Sequence, residues 1–109
     1  MHLTMKSMLW MCLGLTSTIA LADANYPTVK YSDLPDAIQQ LYKREEPNFT
    51  DNSHCAAAWD SATDGDKIAF KCSVFIKMSA EGERRAMHYC EDIKDAKKIR
   101  DTCKLIVKH

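Results

Sequence analysis

The spacing of hydrophobic positions changes four times along this chain, and each spacing predicts a different element. From Ser7 to Ala22 the residues lean apolar and carry no charge. Leu34, Ile38, Leu41 and Tyr42 then recur at helical spacing, which predicts an amphipathic helix. Ser32 or Asp33 is placed to cap it, Pro35 is tolerated in its first turn, and Pro47 ends it. Asn48 to Ser53 reads as a polar loop. From Ile68 to Met78 the pattern switches to strict alternation, with Ile68, Phe70, Cys72, Val74, Ile76 and Met78 on one side. Period two over that length predicts a strand.

A strand needs a partner. Asp64-Gly65 is a turn signal, so His54 to Ala62 is the natural candidate, with Cys55, Ala57 and Trp59 on one side. Its alanines also suit a helix, which leaves an all-α fold open. A turn centred on Thr63 and Asp64 sets Cys55 opposite Cys72, and one centred on Asp64-Gly65 shifts that register by two residues. Asp23 to Tyr31, which contains Pro27, reads as an extended arm. Ser79 to His109 reads as helix, with Ala86, Met87 and Cys90 on one face. Ile93, Ala96, Ile99, Cys103, Ile106 and Val107 fall on another. One straight helix does not reconcile the two faces. A break is therefore expected near Glu91 to Ile93, with Asp92 capping a second helix. The expected fold is a small α+β domain with an N-terminal helix, a short antiparallel β-hairpin and C-terminal helices.

The apolar run at the start changes the reading of the 109-residue chain. It is shorter than the roughly 20 residues a membrane span needs, and it closes on Ala20-Leu21-Ala22, a small-x-small pattern suited to signal peptidase. Residues 1–22 are thus expected to be a signal peptide and 23–109 a small domain, with no stable membrane insertion after cleavage. Cys12 would leave with the leader. Cys55, Cys72, Cys90 and Cys103 would remain, an even set that reads as two disulfides in a periplasmic or secreted chain.

The connectivity expected from this outline rests on distance. A helix folding back at Ser79 over the strand brings Cys90, about 16 Å along the helix, near Cys72, about 23 Å back along the strand. That pairs Cys72 with Cys90 and leaves Cys55 for Cys103. The rival set, Cys55 with Cys72 and Cys90 with Cys103, requires a sharp turn within Glu91 to Thr102, where there is no Gly or Pro.

Charge and chemistry narrow the function classes. From Asp23 to Asp66 three Lys/Arg stand against nine Asp/Glu, and from Arg84 to His109 eight stand against four. The basic end is modest and interleaved with acids, which argues against nucleic acid as a partner. Opposite charges of the two halves suit attraction within one fold, or a polar surface that orients a protein partner. His54-Cys55 and His88-Tyr89-Cys90 bring metal-ligand types together, yet zinc sites usually draw two ligands from a close Cys pair, and here the nearest cysteines are far apart. Paired cysteines leave no thiol nucleophile. The acidic pairs Glu45-Glu46, Asp64/Asp66 and Glu91-Asp92 sit at helix ends and turns, where solvated acids are ordinary. No catalytic residue, metal or cofactor is therefore expected, and the protein is not read as an enzyme.

Trp59, Tyr89, Phe70 and the methionines read as core. Phe75 differs, because it interrupts the polar face of its strand between Ser73 and Lys77. A ring there covers a second packed surface or marks contact with a partner. The expected function is an exported small binding protein, an inhibitor or immunity protein that neutralises a protein partner. A cell-envelope assembly factor and a secreted effector or toxin are the alternatives.

Overall fold

The computed structural model describes residues 26–108, and the expected leader over 1–22 lies outside them. The elements are β1 (Thr28–Lys30), a 3-10 turn (Tyr31–Asp33), α1 (Asp36–Glu45), β2 (His54–Trp59), β3 (Ile68–Ser73), α2 (Ser79–Lys97) and β4 (Lys104–Val107), with further 3-10 turns at Glu46–Asn48 and Gly65–Lys67. The strands form one mixed sheet in the order β1-β4-β2-β3. β1 runs parallel to β4, and β2 is antiparallel to both of its neighbours. The chain is thus α+β, as the spacing of its hydrophobic residues implies.

A helix covers each face of the sheet. Leu34 and Ile38, with Leu41 and Tyr42 partly buried, pack on Cys55, Ala57, Ile68, Cys72 and Ile106. On the other face Ala86, Met87 and Cys90 of α2 meet Ala56, Ala58, Ala69 and Leu105. Full burial of a side chain such as Ile38, which is 0% exposed, contributes about 1.5–3 kcal/mol. The alanines of β2 are explained by this sandwich. Cys55 to Ala58 are all buried, and small side chains on both faces of a central strand let two helices approach it. Burial on both faces also removes the polar half of the alternation, which is why this segment reads ambiguously in sequence.

Four expectations are corrected. First, α2 runs unbroken through Glu91 to Ile93 and ends at Lys97. Asp92 therefore caps nothing, and there is one C-terminal helix rather than several. Lys98 takes the left-handed conformation at φ 58°, ψ 42°. Its N–H donates to the Asp95 carbonyl and that of Ile99 to the Lys94 carbonyl, the paired bonds of a Schellman cap. Ile99 is buried just beyond. The second apolar face assigned to a helix was thus a helix end, a turn and strand β4.

Second, the disulfides join Cys55 to Cys72 and Cys90 to Cys103. α2 does fold back over β3, but Cys72 shares the α1 face with Ile68 and Phe70, so the sheet lies between it and Cys90. Lys98 supplies the sharp turn that the second bridge requires. Cys55 lies directly opposite Cys72 in the hairpin register, which corresponds to a turn centred on Thr63 and Asp64.

Third, β3 stops at Ser73 and does not continue to Met78. Fourth, the cap position of α1 is Pro35, not Ser32 or Asp33, and it makes no side-chain cap bond. Gln39 ties down the preceding turn instead, its amide donating to the carbonyls of Tyr31 (3.1 Å) and Leu34 (3.2 Å).

Candidate functional site

The four cysteines lie in the core and Phe75 lies on the surface. Cys55, Cys72, Cys90 and Cys103 are all buried and bonded in pairs, so their sulfurs are structural. Phe75 is 78% exposed and Met78 66%, and they are the two large hydrophobic side chains that stand out from the described surface. Both belong to the loop between β3 and α2. With Ile76, Lys77, Glu81 and Arg85 they line a shallow groove of about 370 Å³.

This loop is anchored from several sides. Asn52 Nδ2 donates to the carbonyls of Ile76 (3.2 Å) and Lys77 (2.8 Å). Ser73 Oγ, buried at the end of β3, donates to the Gly82 carbonyl (2.9 Å) and accepts from the His54 N–H (3.2 Å). The Gly82 N–H in turn donates to the Met78 carbonyl at 3.0 Å. Gly82 sits hard against the loop before β2, where an added Cβ would lie 2.2 Å from the Asn52 carbonyl oxygen. Only glycine permits that approach. The first turn of α2, the Asn52 loop and the end of β3 are thereby locked together, and the short stretch carrying Phe75 projects from them.

The backbone at Phe75 is itself unusual, with φ 59°. A bulky residue in the left-handed region is strained, at a cost of about 1–3 kcal/mol. An aromatic ring held outward on a strained but anchored backbone is costly both in conformation and in hydration.

Glu81 organises the charge beside the groove. Its carboxylate accepts from Arg84 Nε (3.0 Å) and Arg85 Nε (2.7 Å). The hydrogen bonds from Arg84 and then Arg85 hold its carboxyl down at about 2. The same contacts raise both guanidiniums above their ordinary range.

The other chemistry-bearing residues disperse. His54 Nε2 lies 2.8 Å from Ser79 Oγ, which joins the start of β2 to the start of α2. No carboxylate orients that imidazole among the described residues, so a nucleophile–base–acid relay is not assembled. His88 lies on the exposed side of α2, 3.5 Å from Asp92. Asp64 accepts from the Asp66 N–H (2.9 Å) within the hairpin turn. Among the described residues no three His, Cys, Asp or Glu side chains gather as a metal-binding group.

Trp59, Phe70 and Tyr89 are partly buried, and Met87 is in the core. Met78 departs from the reading of methionines as core, because β3 ends before it. Asn52 is the residue that sequence reasoning missed. Its partners lie 24 and 25 positions away, so no local pattern marks it.

No helix among the described residues is long and apolar enough to cross a membrane. Comparison with protein-family models, curated proteins and solved structures returns no significant match. The fold and surface together define a small disulfide-stapled α+β domain that presents one anchored apolar loop.

Proposed function

We propose that this chain is an exported binding protein whose Phe75–Met78 loop is the contact to a protein partner, in the manner of an inhibitor or immunity protein. The observation that carries the reading is Phe75 itself: exposed, backbone-strained, and set on a loop tied down by Asn52. An anchor already fixed in its exposed position loses little freedom on binding. Aromatic side chains seated in a partner's pocket dominate many interfaces. Lys77, Glu81 and Arg85 form a polar rim beside the apolar centre, the usual anatomy of such a surface.

Export is supported by the two disulfides, which suit a compartment outside the reducing cytoplasm, and by the apolar start that ends in Ala20-Leu21-Ala22. The test is affinity isolation from envelope extract and culture fluid with the immobilised oxidised domain, compared with its Phe75→Asn variant. One soluble protein held stoichiometrically by the native domain and lost from the variant is the expected result. An equal yield on both would overturn the reading.

A further inference from the structure

The sheet has a second feature that suits binding, its open edge. β3 is the last strand in the order β1-β4-β2-β3, and among the described residues no strand pairs with its outer side. The Asp60 N–H donates to the Lys67 carbonyl at 3.0 Å, which makes that residue pair a hydrogen-bonded one. Alternation along an antiparallel ladder then bonds Ala69, Lys71 and Ser73 to β2 and turns the N–H and C=O of Ile68, Phe70 and Cys72 outward. Lys97 Nζ donates to the Ile68 carbonyl (2.9 Å) and closes that end. Phe70 and Cys72 keep their outward groups, spaced as a ladder for one more strand.

The edge is recessed between the two helices. Ala37 and Leu41 of α1 and Ile93 and Lys97 of α2 line one groove of about 390 Å³, with Ile68 and Phe70 between them. Beside it, Arg44 and Leu41 flank Phe70, Lys71 and Cys72. On the α2 side Lys71 meets Tyr89, Asp92 and Ile93.

This recess decides the occupant. A second copy would have to bring its own recessed edge to within the roughly 4.8 Å of a strand pair, and the overhanging helices oppose that. Any register that sets Lys71 opposite its own copy also places like charges together. A single extended segment meets neither obstacle. Its charge follows from the rim: Arg44, Lys71 and Lys97 have no carboxylate within 4.0 Å among the described residues. Of the rim acids Glu45 and Asp92, Asp92 already faces His88.

We propose that the outer edge of β3 accepts an extended segment of a partner protein as a fifth strand, with apolar residues facing Leu41 and Phe70 and acidic residues facing Lys71. The mode is strand addition, in which main-chain bonds give affinity and alternate side chains give specificity. It deepens the binding-protein reading and rests on it, since β3 leads directly into the Phe75 loop.

The test uses synthetic peptides on the oxidised native domain, followed by amide chemical shifts. The probes are an acetylated, amidated peptide of alternating Val and Glu, its Val and Lys counterpart, and a Val and Glu version N-methylated at every second residue. Saturable binding of the Val and Glu peptide, with shifts centred on Phe70 and Cys72, is expected. N-methylation should weaken it about tenfold or more, the factor that corresponds to 1.4 kcal/mol. Lys71→Glu, an exposed change, should reverse the preference between the Glu and Lys peptides. Absence of saturable binding, shifts elsewhere, or indifference to N-methylation would overturn the proposal. If the peptides fail while a natural partner is still held through Phe75, the edge proposal falls and the binding-protein reading stands.

Discussion

Cys55 and Cys72 face each other across the β2–β3 hairpin, their Cα atoms 3.9 Å apart, and their bridge lies on the α1 side of the sheet. Cys90 and Cys103 join α2 to the start of β4 on the other side. Each half of the core thus has its own staple.

Connectivity can be read directly. Trypsin digestion without reduction should link the fragment holding Cys55 to Cys72–Lys77, and Ala86–Lys94 to Asp101–Lys104. A linked pair of Cys72–Lys77 with Ala86–Lys94 would contradict the structure. The bridges close loops of 17 and 13 residues, and a loop near that size is worth about 3 kcal/mol. Replacing both Cys55 and Cys72 with Ala should therefore lower stability to denaturant by about that amount, and the same holds for Cys90 and Cys103.

Gly82→Ala tests the lock behind the Phe75–Met78 loop. The new methyl meets the Asn52 carbonyl oxygen, so backbone must move, at a cost of about 1–3 kcal/mol. The amide resonances of Ile76 and Lys77 should shift most, because Asn52 holds their carbonyls. Unchanged stability would mean that Gly82 can be moved without disturbing the loop.

The helix-start cluster predicts an acid response with a definite sign. Glu81 is held down at about 2 in the folded chain, against about 4.5 for an ordinary glutamate. A depressed folded value stabilises the fold above the unfolded value, and the contribution is lost as pH falls through the folded one. The stability difference between the native chain and Glu81→Gln should thus be full above about pH 4.5 and shrink toward pH 2. Added salt should reduce it throughout, because the group is exposed. A difference that grows on acidification would contradict the Arg84 and Arg85 contacts.

Asp60 fastens the hairpin to the turn after α2. Its carboxylate accepts the backbone N–H of Arg100 (2.8 Å) and of Asp101 (3.0 Å), and the Arg100 bond is the main cause of its lowered pKa. Asp60→Asn keeps one of the two acceptor oxygens and should lower the melting temperature less than Asp60→Ala, which keeps neither. Equal melting temperatures for the two variants would remove this role.

Much of the fold is legible in the sequence wherever one face of an element is buried and the other wet. Leu34, Ile38 and Leu41 announce α1, and the alternation from Ile68 announces β3. The exceptions have physical causes. β2 is buried on both faces, so its alanines carry no period. β4 spans four residues, too few for alternation to register against the helical pattern before it. Lys98 makes a left-handed cap without the glycine that usually signals one, so the end of α2 was hidden, and with it the correct disulfide partners. The Phe75–Met78 loop is half legible. Phe75 stood out because it broke the polar side of a strand, but its clamp by Asn52 and the exposure of Met78 depend on where distant segments meet.

The most direct measurement is the affinity of the isolated partner for the native domain and for Phe75→Asn, by calorimetry, with both melting temperatures recorded. Asn tolerates the left-handed backbone, so the variant should melt no lower than the native chain while removing only the ring. Binding should weaken about thirtyfold or more, as for loss of an interface anchor of about 2 kcal/mol. Equal affinity in two equally stable domains would contradict a binding role for the Phe75 loop.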